Sequence, residues 1–203
     1  MIRPFIIISL ILLYNISQSQ VIDKKIQTFI NEKNIDSFLV YSFPCEGGMA
    51  LEDSCVQSDS YFLLWTQNTG YFVKQFKACI ISTAIMLDSA NPLSYYISNR
   101  KVINKEKIKP PTYYEYKKTK KGIDTLILSS FIDHSCFHTF VFKMGRTIFE
   151  KSADNYNLDF VKFDNGHKNI YYNYNQHTLF KKLIDKTTQL IDNLAKSKKP
   201  EAQ

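Results

Sequence analysis

Residues 61–77 have the sequence YFLLWTQNTGYFVKQFK, in which two runs of aromatic and branched side chains flank the segment 68–70. Such runs are typical of β-strands, and Gly70 can adopt the positive φ that tight hairpin turns often require. The stretch therefore predicts an antiparallel hairpin with strands at residues 61–67 and 71–77.

Further strand patterns occur on both sides of the hairpin. Each is a short run of aromatic and β-branched residues that is bounded by turn-forming residues. They lie at residues 37–43, 112–116, 124–131, 136–143 and 146–151, with a weaker edge strand at 160–163 inside a loop region at 155–175. Residues 79–87 are apolar but too few for periodicity to separate a strand from a helix.

Helical patterns lie near the two ends of the chain and in the middle. Residues 21–33 and 179–194 place apolar side chains at steps of three and four, and Pro92 is suited to the first turn of a helix that reaches residue 101. Asn175 and Thr178 are the candidate N-caps of the last helix. We therefore predict an α+β fold: a single antiparallel sheet of about five to seven strands, with an N-terminal and a C-terminal amphipathic helix.

The first residues of the chain have the three-part pattern of a secretory signal. Arg3 precedes a short apolar run at residues 5–14, and Ser17 and Ser19 supply the small side chains at a cleavage site. The run is about half the length of a membrane-spanning helix, and no second hydrophobic segment follows. We expect a signal peptide at residues 1–19, one globular domain at 20–195 and a disordered tail at 196–203. The mature protein would then be periplasmic or secreted, without a transmembrane span.

The four cysteines are Cys45, Cys55, Cys79 and Cys136. An even number in an exported protein favours disulfides, of which four cysteines allow three pairings. We expect Cys45 to pair with Cys55 across a short Gly-containing loop, and Cys79 with Cys136. Free thiols are the alternative in a less oxidising compartment.

The segment 133–138 is the strongest candidate for chemistry. On a strand, His134, Cys136 and His138 would project from one face, where two imidazoles and a thiolate could bind zinc or copper. A Cys136 nucleophile with Asp133 as orienting group is a further alternative. We nevertheless expect no metal and no cofactor, since a disulfide through Cys136 would remove the thiolate.

Composition limits the class of partner. The formal net charge is +7, but apart from Arg3 the only arginines are Arg100 and Arg146. Scattered lysines give weak attraction to anionic surfaces rather than bidentate recognition of phosphates, so we expect no nucleic-acid binding. The partner is expected to be a protein or an anionic envelope component. An enzyme centred on His134, Cys136 and His138 is the alternative.

Two other groups of residues are candidate binding sites. The acidic loop that carries Glu46, Glu52, Asp53 and Asp59 matches no calcium motif and is expected to be an ordinary solvated loop. The tyrosine-rich segments 113–116 and 171–174 are typical both of contact surfaces and of ordinary strands.

The signal pattern predicts that export removes residues 1–19. The intact mass of the protein from the exported fraction should correspond to a chain that begins at Gln20. A mass that includes Met1, together with recovery from the cytoplasmic fraction, would contradict this expectation.

Overall fold

The computed structural model describes residues 24–45, 60–77 and 81–197. The helices in these ranges are α1 (Lys24–Glu32), α2 (Pro92–Ile103), α3 (Asn155–Asp159), α4 (Tyr172–His177) and α5 (Leu179–Ser197). The strands are β1 (Ser37–Ser42), β2 (Tyr61–Gln67), β3 (Gly70–Phe76), β4 (Ile85–Leu87), β5 (Thr112–Thr119), β6 (Gly122–Ser129), β7 (Phe137–Met144) and β8 (Thr147–Asp154). Every helix in those ranges is too short or too polar to cross a bilayer.

Six strands form one antiparallel sheet in the order β4-β3-β2-β1-β7-β8. The predicted α+β fold, with a helix at each end, is confirmed, and this sheet has a strand number within the expected range. The remaining strands, β5 and β6, pair only with each other and form a separate hairpin. Of residues 79–87, for which the sequence predicts either a strand or a helix, Ile85–Leu87 form the strand β4. This strand pairs with the outer edge of β3.

The centre of the sheet is buried on both faces, since alternate side chains of its central strands enter two different cores. In β1, Leu39 and Tyr41 belong to the core beneath α2 and α5, whereas Phe38 and Val40 pack with α1. From Phe38 to Ser42 every residue of β1 is buried. The central strand therefore has no solvent-facing side, and a slip of one residue would exchange its two faces.

The predicted hairpin forms between β2 and β3, but its turn differs from the expectation. Asn68 adopts the positive φ, at 54°, and Gly70 does not. A Cβ built on Gly70 would lie 3.0 Å from the Phe72 ring. A side chain at position 70 would therefore crowd the Phe72 ring, and glycine permits this close approach without using its backbone freedom.

Polar side chains satisfy the first turn of α5. The Thr178 hydroxyl accepts a hydrogen bond from Lys181 N at 3.1 Å, which confirms one of the two candidate caps. The Glu106 carboxylate accepts bonds from the amides of Leu179 and Phe180 at 3.0 and 2.8 Å. A carboxylate at a helix N-terminus also interacts favourably with the helix dipole.

The other candidate cap, Asn175, is fully buried and ties α4 both to the segment before β5 and to α3. It bonds the backbone of Lys109 through both its amide oxygen and its amide nitrogen, and it donates to Asn157 O. The region 155–175, for which the sequence predicts a loop, contains the short helix α3 and the beginning of α4. The edge strand expected at 160–163 is reduced to an isolated bridge between Lys162 and Lys168.

The expected pairing of Cys45 with Cys55 is wrong, because Cys45 is bonded to Cys136. Ser42 pairs with Thr139 where β1 lies beside β7. The same register continues beyond the strands and places Cys45, three residues after Ser42, opposite Cys136, three residues before Thr139. The pairing of β1 with β7 therefore determines the disulfide partner of Cys45, and closure of a short local loop does not. Cys55 and Cys79 lie outside the described residues.

Docking of α5 on the sheet predicts unequal effects of two neighbouring substitutions. Leu183 is fully buried, whereas Lys182 is exposed on the other face of the helix. Leu183→Ala should lower the free energy of unfolding by about 2–4 kcal/mol, and Lys182→Ala should change it little. Urea unfolding of both variants measures this, and equal small effects would show that α5 is not part of the core.

Candidate functional site

The structure does not bring His134, Cys136 and His138 together as one strand face. Strand β7 begins at Phe137, so His134 lies in an exposed bend before it and strand alternation does not apply to that residue. The Cys136 sulfur is bonded to Cys45 and has no thiolate to offer a metal or a substrate. Asp133 lies in the same exposed bend.

His138 is buried and held at both ring nitrogens. Its Nδ1 lies 2.8 Å from the Tyr41 hydroxyl, and its Nε2 lies 3.1 Å from Asn155 Oδ1. Asn155 in turn donates from Nδ2 to Asp159 Oδ2 at 2.8 Å. The carboxylate fixes the orientation of the Asn155 amide, because it can only accept hydrogen bonds.

This orientation assigns the tautomer of His138. Asn155 Oδ1 requires a proton on Nε2, which leaves Nδ1 to accept a hydrogen bond from the Tyr41 hydroxyl. Neither nitrogen then has a free lone pair for a metal ion. The chain of bonds from Tyr41 to Asp159 is best described as a satisfied polar network at the edge of the core.

Burial perturbs the two titratable groups in this network. It raises the pKa of Tyr41 to about 12, against a smaller opposing effect of a hydrogen bond with Thr188. It also lowers the pKa of His138 below the ordinary value of 6.5, and the hydrogen bond with Asn155 opposes this only in part. Both side chains are therefore neutral at physiological pH.

A cleft of about 450 Å³ opens beside the network, between α3 and the polar face of α5. Its charged lining includes Asp159, Asp185 and Asp192 with Lys181 and Lys196. Lys181 and Asp185 form an ion pair at 2.5 Å, so part of this charge is internally compensated. Across the described ranges, no three His, Cys, Asp or Glu side chains are arranged to hold a metal ion.

The tyrosine-rich segment 113–116 lies on β5, in the hairpin that leaves the main sheet. Cross-strand partners point to the same face, so Tyr114 pairs with Ile127, Tyr116 with Thr125 and Lys118 with Ile123 on one side of the hairpin. We call the surface made by Tyr114, Tyr116, Ile123 and Ile127 the hairpin face. Three of these side chains are about 70% exposed: Tyr116 at 69%, Ile123 at 72% and Ile127 at 67%.

The opposite side of the hairpin turns towards the body at its base. The Tyr113 ring packs against Phe163 and His167, with centroids 4.5 and 4.7 Å apart. Asn169 Oδ1 accepts a bond from Thr112 N, and the Ile170 amide donates to Thr112 O. The base is thus anchored, whereas all eight residues of β6 are exposed.

The second tyrosine-rich segment, 171–174, lies at the start of α4. There Lys109 places its ammonium over the rings of Tyr171 and Tyr174, at 4.4 and 4.9 Å from their centroids. This segment is therefore engaged by the protein's own lysine. The acidic loop with Glu46, Glu52, Asp53 and Asp59 lies outside the described residues.

No family model matches the chain, and no curated protein or solved structure is significantly similar to it. Any function must therefore follow from this chain's own residues. Sequence reasoning named His138 as a member of a candidate metal cluster, while expecting no metal there, and missed Tyr41 as its hydrogen-bond partner. It identified the tyrosines of β5 but not their exposure, which depends on the hairpin leaving the main sheet.

The lowered pKa of His138 predicts a specific dependence of stability on pH. The unfolded chain takes up a proton at His138 near pH 6.5, before the folded chain does, so folding stability falls as the pH drops below that value. In His138→Gln this part of the decline should disappear. Urea unfolding between about pH 5 and pH 7.5 measures the slope, with His134→Gln in the exposed bend as the matched control. Parallel profiles for the wild type and His138→Gln would contradict the assignment.

Proposed function

We propose that this protein is a non-enzymatic exported domain, periplasmic or secreted, which binds another macromolecule or an anionic envelope component through the hairpin face. The observation that supports the proposal is a cluster of aromatic and aliphatic side chains held in solvent on an anchored hairpin. Contiguous exposed apolar surface on a folded domain is typical of an interaction site.

The hairpin face contributes nothing to the cores on either side of the main sheet. None of Tyr114, Tyr116, Ile123 and Ile127 belongs to the buried residues or to those packed against them. A two-stranded hairpin is only marginally stable in water by itself, and β6 has no covering layer among the described residues. A binding partner would bury the apolar side chains that the fold leaves exposed on the hairpin face.

The competing hypothesis is an enzyme centred on His134, Cys136 and His138. It requires a Cys136 thiolate, and the bond to Cys45 opposes this. It also requires a free nitrogen on His138, whereas both of its nitrogens are engaged. The same disulfide supports the exported setting, because such bonds persist in oxidising compartments.

Binding to the native envelope tests the proposal. The protein from the exported fraction is mixed with washed envelope of the producing cells, and the bound fraction is measured by sedimentation. The wild type should bind, and Ile123→Thr/Ile127→Thr should bind about tenfold more weakly, because two aliphatic side chains no longer contribute to the contact. Threonine retains a high β propensity, so the hairpin should persist.

The matched control is Ile148→Thr on the edge strand β8. Ile148 is 48% exposed and lies outside the hairpin. This variant should bind like the wild type. Equal binding by the wild type and the hairpin variant, or no binding by the wild type, would overturn the proposal.

A further inference from the structure

We propose that the partner of the hairpin face is the surface of an anionic lipid bilayer, on which the hairpin adsorbs without crossing it. This inference rests on the proposed function, since it names the partner of the same surface. Three observations support it: the charge of the hairpin tip, the residue types on the hairpin face, and the outer edges of β5 and β6, which pair with no other described strand.

The hairpin tip is a cluster of lysines. Lys117 and Lys118 lie near the end of β5, and Lys120 and Lys121 lie in the turn that follows it. The only acidic residues in the hairpin are Glu115 and Asp124. Four lysines and two carboxylates leave a net charge of +2 on residues 112–129. Lys118 and Ile123 are cross-strand partners, so cationic and aliphatic side chains share one face. Near an anionic bilayer each lysine strengthens binding about fivefold.

The types of residue favour lipid over a protein partner. The centres of protein interfaces are enriched in arginine and depleted in lysine, whereas the hairpin has four lysines and no arginine. Tyrosine is enriched at the level of lipid headgroups, where its ring lies among apolar groups and its hydroxyl stays hydrated. Tyr114 and Tyr116 fit that position. A second copy of the chain is less favoured, because two hairpin faces would bring like charges together.

The open edges of the hairpin limit the depth of contact. On its outer side each strand has backbone groups without a partner strand among the described residues. Such groups cannot enter the hydrocarbon layer unpaired, but hydrated headgroups can satisfy them. We therefore expect Ile123 and Ile127 to reach the acyl boundary while the backbone remains in the headgroup region.

Vesicle binding tests this inference. The protein from the exported fraction is sedimented with vesicles of phosphatidylglycerol and phosphatidylcholine in equal parts, and with vesicles of phosphatidylcholine alone. It should bind the anionic vesicles and not the zwitterionic ones, and added salt should weaken the binding. Lys118→Gln/Lys120→Gln/Lys121→Gln should reduce partitioning about a hundredfold, because three lysines no longer contribute. Ile123→Thr/Ile127→Thr should reduce it about tenfold.

Two controls separate the hairpin from general properties of the protein. Lys24→Gln/Lys33→Gln/Lys182→Gln removes the same charge at exposed sites outside the hairpin, and Ile148→Thr removes an exposed isoleucine from β8. Both should bind anionic vesicles like the wild type. Circular dichroism and the unfolding temperature of each variant verify that it is folded.

The remaining outcomes would overturn the inference. These are no binding to anionic vesicles, equal binding by the hairpin variants, or an equal loss in the control that removes three lysines elsewhere. A dimer by light scattering that dissociates in Ile123→Thr/Ile127→Thr would identify a second copy as the occupant. If the wild type binds native envelope but not anionic vesicles, the lipid assignment fails and the proposed binding function stands.

Discussion

Burial of the central strand β1 on both faces is the constraint on which the rest of the fold depends. Its side chains alternate between a core closed by α1 and a core closed by α2 and α5. Because a slip of one residue would move core residues into the wrong layer, burial on both faces helps to fix the alignment of β1 with its neighbours β2 and β7. The bond between Cys45 and Cys136 continues the alignment of β1 and β7 beyond the strands.

The same constraint accounts for the buried pair of Tyr41 and His138, whereas the hairpin of β5 and β6 is independent of it. Tyr41 and His138 occupy core-facing positions near one end of β1 and β7, where their polar atoms have to find partners inside the protein, and they find each other. The hairpin of β5 and β6 lies outside the alternating pattern and keeps its aliphatic side chains in solvent. The six-stranded sheet thus holds the two cores, and the proposed binding surface lies on the separate two-stranded sheet.

Local patterns predicted the individual elements well, because strand runs, helical periodicity and the cap at Thr178 are properties of short segments. The pairing of strands and cysteines that lie far apart in the sequence could not be predicted from such patterns. Loop closure favoured Cys55 as the partner of Cys45, but the choice depends on β1 lying beside β7, which no local pattern encodes. For the same reason, the strand pattern at residues 124–131 was expected to join the single sheet, whereas β6 pairs only with β5. Only strand order shows that the hairpin leaves the sheet.

We propose that the hairpin is the contact surface and that the sheet centred on β1 supports it. Hydrogen exchange of the protein alone and bound to native envelope tests it most directly. Amides of β1 should exchange slowly in both states, and new protection on binding should be confined to residues 112–129. Protection at the cleft beside His138, or no new protection in the hairpin, would contradict the account.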